Sequence, residues 1–253
     1  MMKGLDVFKN YFQAYSEQYV LIGGAACDII FEEQDTAFRV TKDLDMVLIV
    51  EALTPEFGNK FWQFIRDGGY DNRAKSNATP QFYRFDKPKY PDFPYMIELF
   101  SREVETFHGE ITGQCIPLPL SDELSSLSAI LLNEDYYTLI LNGRTVISEL
   151  VVLSPTYLIP FKAKAWLDLS ERKLKGQHID EKDIRKHKND VLRLTSLLSG
   201  SEKCELPETV KQDMSVFIEK LRQDPINLKS LKISGIQFED ILAVLQQVYS
   251  REQ

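Results

Sequence analysis

The stretch from Phe38 to Val50, FRVTKDLDMVLIV, decides how this chain is read. Two aspartates, Asp43 and Asp45, stand one residue apart at the mouth of a run that is otherwise apolar. Alternation along a strand puts both on one face, about 7 Å apart at the backbone. Two ionised carboxylates so placed repel unless a cation lies between them. A solvated strand start, or an aspartate capping a helix, is the plainer reading of the bare pattern.

Two neighbouring features bear on the choice. Gly23-Gly24 stands between an apolar run, Tyr19 to Ile22, and a helix expected from about Ala25 to Glu33. Glycines there let backbone N–H groups and a helix N-terminus approach a phosphate, although a Gly-Gly pair alone also serves as a simple tight turn. Neither the dinucleotide-binding glycine fingerprint nor a Walker A loop is present. The second feature is Glu98, flanked by Ile97 and Leu99 in PYMIELFS. Such a Glu is either exposed at a sheet edge or the third acid of a cluster. Three acids on neighbouring strands beside a glycine turn would suit Mg²⁺, which keeps several waters and also binds substrate phosphates.

Composition sets the bounds. The chain has 253 residues, 43% of them hydrophobic and 27% charged, as in ordinary globular proteins. Its net charge of −8 argues against generic attraction to nucleic acid or anionic membrane. Lys162 to Arg193 is the exception, with ten Lys/Arg against six Asp/Glu, net +4. Three widely spaced cysteines give neither a disulfide framework nor metal-ligand spacing, which fits a reducing, cytoplasmic setting. No apolar run approaches the roughly 20 residues that span a bilayer, so no membrane partner is expected.

Outward from the aspartates, residues 4 to 16 suit a short amphipathic helix, and Leu44 to Val50 a strand buried inside a sheet. Thr54-Pro55 opens another helix as N-cap and first-turn proline. Gln81 to Phe85 and Tyr95 to Phe100 read as strands. Tyr136 to Leu141, Asn142-Gly143 and Arg144 to Leu153 read as a hairpin with a type I′ turn. From Ser154-Pro155 onward the pattern is helical, with late helices near 207–223 and 237–250. The expectation is an α+β fold, a mixed sheet flanked by helices over residues 1–153, followed by a helical part over 154–253.

Gly23-Gly24, then TKDLDM at Thr41 to Met46, then Ile97-Glu98-Leu99 resembles the nucleotidyltransferase (polymerase-β-like) superfamily. Within it the chain looks most like the AbiEii-type group, which includes toxins of toxin–antitoxin pairs. The stretch LIPFKAKAWLDL…KDIRKHKNDVLRL looks like that group's helical part. Eighteen residues lie between Gly24 and Asp43, more than the superfamily usually shows, and the extra ones fall in FEEQDTAFR, lengthening the helix or its exit loop.

The resemblance implies a nucleotidyltransferase fold that moves an NMP from an NTP, such as ATP, to an acceptor hydroxyl. Two Mg²⁺ ions, or Mn²⁺, would sit on Asp43, Asp45 and Glu98, and Glu98 would help deprotonate the acceptor. Gly23, Gly24 and Thr41 would hold phosphate. Lys162 would face the cleft and offset triphosphate charge; by its residue type alone it is one more solvated lysine. Asp190, on one helix face with Asp183 and His187, would orient a lysine or base, or belong to an exposed face. His108 and His178 are expected at the surface or in packing. The acceptor is RNA (a tRNA end, favoured by the net-positive segment), a protein or a small molecule, and an antitoxin partner is implied. A catalytically inactive nucleotide- or partner-binding module is the rival.

Overall fold

The computed structural model describes residues 2–70, 82–101, 130–131, 133–202 and 204–249. The chain divides into two compact units. The first takes in the described residues up to Ser101 together with Arg144–Leu153; the second takes in Ile130–Gly143 and Ser154 onward. The expected division after Leu153 falls on a boundary between them, but residues 130–143 belong to the helical unit.

The first unit is built on six strands: β1 (Tyr19–Ile22), β2 (Asp43–Leu48), β3 (Phe82–Asp86), β4 (Met96–Phe100), β5 (Arg144–Ile147) and β6 (Leu150–Leu153). They form one mixed sheet in the order β3-β4-β2-β1-β6-β5. β2 lies between β1, antiparallel to it, and β4, parallel to it. From Leu44 to Leu48 every β2 residue is buried, and so is all of β1. Burial on both faces explains why these runs, Asp45 apart, are apolar and do not alternate.

Three helices belong to this unit: α1 (Leu5–Phe12), α2 (Gly23–Glu33) and α3 (Pro55–Gly68). The Thr54 hydroxyl accepts the Phe57 N–H at 3.3 Å, and Pro55 starts the first turn, as its missing N–H allows. An aromatic cluster joins α1 to α3, with Phe12 5.2 Å from Phe64 and 5.7 Å from Phe57 between ring centroids. Tyr19 of β1 meets Phe8 edge-on at 5.5 Å, and Phe85 of β3 meets Phe61 at 5.6 Å, so the helices are fastened to the sheet through ring edges. The extra residues between Gly24 and Asp43 form an exit loop: α2 stops at Glu33, and residues 34–42 run on to β2.

The second unit holds α4 (Glu134–Asn142), α5 (Pro155–Leu174), α6 (Glu181–Thr195), α7 (Glu208–Gln223) and α8 (Phe238–Tyr249). Trp166 and Phe217 meet edge-on at 5.3 Å, fastening α5 to α7. The Tyr249 hydroxyl donates to the Thr156 carbonyl at 2.6 Å, tying α8 to α5. No described helix is long and apolar enough to cross a membrane.

One expectation fails here. Tyr136 to Leu141 is not a strand but helix α4, capped by the Asn133 side chain, which accepts from the Asp135 and Tyr136 N–H groups. Its buried residues Tyr136, Tyr137, Leu139 and Ile140 follow i, i+3, i+4 spacing, a helical face. Gly143 ends the helix, and its carbonyl accepts the Ser154 N–H at 2.9 Å. A Cβ on Gly143 would lie 2.3 Å from the Tyr157 ring, so closeness to Tyr157 is what requires the glycine. The hairpin lies wholly within the span expected as its second strand. β5 and β6 pair antiparallel around Ser148-Glu149, whose φ values of 49° and 66° match a two-residue type I′ turn.

Candidate active site

At the Gly-Gly end of β1 the first unit gathers the residues singled out above. In the sheet register Asp45 of β2 is opposite Ile22 of β1 on one side and Glu98 of β4 on the other. The two carboxylates thus come from adjacent interior strands, and both are buried, Asp45 at 9% and Glu98 at 4% exposure. Asp43, two residues earlier on the same face, is half-buried.

The glycines have a steric reason. Gly23 has φ of 67°, and a Cβ there would lie 1.7 Å from Asp45 Oδ2. A Cβ on Gly24 would lie 2.5 Å from Thr41 Oγ1. The start of α2 is therefore open only because it has no side chains, and that opening is filled by Asp45 and Thr41. Partial positive charge at a helix N-terminus favours a carboxylate there, as it favours a phosphate.

Glu98 has a partner that the sequence reading missed. Arg84, its cross-strand neighbour on β3, places Nε 2.9 Å and Nη2 2.5 Å from Glu98 Oε1. Burial pushes the Glu98 carboxyl above its ordinary value, and the nearby charge of Asp43 adds to the rise. A hydrogen bond shared with Asp45 and the Arg84 guanidinium pull it back. An arginine in the otherwise apolar strand run QFYRF was the available signal, but its meaning needs the β3–β4 register.

The first unit also has a cavity of about 710 Å³, lined in part by Asp28, Glu32, Phe38, Thr41, Lys42 and Tyr95 and by none of the three acids. The Lys42 ammonium stands 5.6 Å from the centre of the Tyr95 ring at its edge. The volume is in the range of small-ligand sites.

Among the described residues no three His, Cys, Asp or Glu side chains are gathered into a set that would by itself hold an ion. The donors present are hard carboxylate oxygens on one strand face, which fit Mg²⁺ or Mn²⁺ at Asp43 and Asp45, with water and substrate completing the shell. Glu98, expected as a third ligand, is bonded to Arg84.

The remaining candidates, Lys162 and Asp190, lie in the second unit and pair with each other, Nζ to Oδ2 at 3.3 Å. Lys162 is 6% exposed and Asp190 fully buried, with Arg193 Nη1 3.7 Å from its other oxygen. Lys162 is thus not a solvated lysine, and Asp190 does orient one. His187, on the same helix, is buried too. His178 is exposed, and His108 lies outside the described residues.

Comparison of the chain with protein-family models, curated proteins and solved structures finds no match in any of the three.

Proposed function

We propose that this chain is a divalent-cation-dependent nucleotidyltransferase, with the α/β unit as a nucleotidyltransferase-fold catalytic part. The observation that carries the reading is the register of Asp45 with Glu98 on adjacent interior strands, against the glycine start of α2. Strand, Gly-Gly, helix, Asp-x-Asp strand and a third acid on the next parallel strand follow the order of the superfamily that the sequence resembles. Burying acids side by side costs several kcal/mol unless cations or hydrogen bonds offset the charge, which a purely structural site has little reason to accept.

In this reading the triphosphate meets the start of α2 at Gly23, which is half-buried, with Thr41 beside Gly24. A divalent ion, when bound at Asp43 and Asp45, supplies charge neutralisation on the phosphates. The acceptor oxygen forms a bond to the α-phosphorus, the bond from that phosphorus to the bridging oxygen breaks, and pyrophosphate leaves. The acceptor proton passes to Glu98 or to water. Positioning and electrostatics carry such reactions. The cavity lined by Asp28, Thr41 and Tyr95 offers room for a base or for the acceptor. The acceptor class stays open among RNA, protein and small molecule, with the net-positive 162–193 segment favouring RNA. The AbiEii-like resemblance suggests a toxin with an antitoxin partner in the cytoplasm.

A second reading has one observation of its own. Arg84 already offsets the charge of Glu98, as it would in a binding module that has kept the fold without catalysis. Incubating the protein with Mg²⁺ and each α-phosphate-labelled NTP in bacterial lysate separates the two. Transferred label that disappears in the Asp43→Asn/Asp45→Asn variant supports the transferase, and RNase or protease sensitivity names the acceptor. No variant-sensitive label, with nucleotide binding also absent, would overturn it.

A further inference from the structure

We propose that Arg39 binds the triphosphate at the start of α2, so that the α/β unit supplies a cation of its own to the phosphates. The inference rests on the nucleotidyltransferase reading and adds a residue to its nucleotide site.

The position of Arg39 follows from how the chain leaves α2. That helix runs 11 residues, about 16 Å, and residues 34–42 lead from its far end to β2. Asp45 of β2 pairs with Ile22, the residue just before α2, so the exit loop has to return along the helix to its first turn. The bend that begins this return is fixed, because Thr36 donates its N–H and its hydroxyl to the Phe31 carbonyl at 2.9 and 3.0 Å. Phe38 then sets its ring 5.1 Å from that of Phe31, and the Arg39 guanidinium carbon stands 5.2 Å from the centre of the Phe38 ring. At the end of this path Arg39 Nη2 lies 3.7 Å from the place that a Cβ on Gly24 would take, and Thr41 Oγ1 lies 2.5 Å from the same point. The extra residues between Gly24 and Asp43 thus have a use: their loop delivers a cation and a hydroxyl to the helix start that meets phosphate in this reading.

The chemistry suits that task. Arg39 is half-buried, and so is the adjoining Gly23. A guanidinium stays charged and offers five N–H donors in a planar fork matched to phosphate oxygens. A bond to an acceptor within the protein still leaves other donors for the ligand. An anion set between a helix N-terminus and a guanidinium is attracted to both. Lys162, the cation that the resemblance implies, lies in the other unit and holds Asp190 at 3.3 Å.

Magnesium tripolyphosphate, which carries the phosphates without a base, is the probe. The Arg39 Nε–H resonance is assigned through the backbone of the unaltered protein and followed by ¹H–¹⁵N spectroscopy as the probe is added at physiological salt. A saturable shift of that resonance is expected. Calorimetry should show the affinity for the probe falling about 10- to 100-fold in Arg39→Gln, with part of the loss recovered in Arg39→Lys, which keeps the charge without the fork. An arginine that only braces the loop or the nearby acids would leave the resonance and the affinity unmoved. That result, with tripolyphosphate still binding, overturns the proposal and leaves the transferase reading intact. Binding of neither tripolyphosphate nor any NTP in the presence of Mg²⁺ overturns both. Should either variant fail to fold, the resonance in the unaltered protein decides.

Discussion

At the scale of single residues, Gly23 is where backbone conformation and side-chain chemistry meet. Its φ of 67° favours glycine, and Asp45 Oδ2 occupies the place of a Cβ. Gly23→Ala is expected to destabilise the fold by about 2 kcal/mol or more, from left-handed strain plus displacement of Asp45. It should weaken Mn²⁺ binding as well; urea unfolding and Mn²⁺ titration report the two effects. Cys204 offers a different check. Burial pushes its thiol up to about 12, a hydrogen bond with Tyr157 moderating the rise. At pH 8 about one thiol in ten thousand is then ionised, so iodoacetamide should scarcely modify Cys204 in the folded protein. The raised value means that folding favours the neutral thiol. That contribution is complete below the ordinary thiol value and is lost as pH climbs toward about 12. Mass spectrometry of native and urea-unfolded samples measures the contrast. Prompt native labelling at Cys204 would contradict the burial.

Among elements, the hairpin of β5 and β6 shows how local signals compete. Asn142-Gly143 is a strong turn signal, yet it ends helix α4, because glycine serves a helix C-terminus and a crowded backbone as well as a type I′ turn. The turn itself falls on Ser148-Glu149, residues with no special liking for positive φ. Glu149→Gly should therefore stabilise the protein by about 0.5–1 kcal/mol, relief of left-handed strain outweighing the exposed pair with Lys9 at 2.7 Å. Thermal unfolding measures it, and a lower midpoint would show that the Lys9 pair matters more than the strain. Elsewhere the punctuation was legible: Thr54-Pro55 capped and opened α3 as read, since both effects are confined to one helical turn.

Over the whole molecule each unit has an apolar core of its own with a buried charged pair. The first buries an aromatic and aliphatic core with its acids at one end of the sheet. The second buries a Lys162–Asp190 pair inside its own helices. Removing Lys162 leaves the fully buried Asp190 less well compensated, with Arg193 still 3.7 Å away, so Lys162→Met should cost about 3 kcal/mol, and Lys162→Met with Asp190→Leu should recover part of it. Chemical denaturation of the unaltered protein, Lys162→Met, Asp190→Leu and the double variant completes a double-mutant cycle. A loss in the double variant equal to the sum of the two single losses would show that the pair is worth nothing beyond its separate parts.

Sequence by itself determined the order of strands and helices around Asp43 and Asp45 and the helical run after Ser154, while the glycines expected as a turn before α2 are its first two residues. These depend on neighbours within a few positions: periodicity, caps and backbone freedom. It also put Asp43, Asp45 and Glu98 forward together, because acids in apolar strands are improbable one by one. Only tertiary structure decided that Asp45 lies in register with Glu98 and against Gly23, that Arg84 grips Glu98 from the next strand, and that Lys162 is buried on Asp190. Those contacts join residues 14 to 53 positions apart in the chain. A charge carries no mark of its partner until strand register and helix packing bring the two together, and burial then decides how strongly each depends on the other.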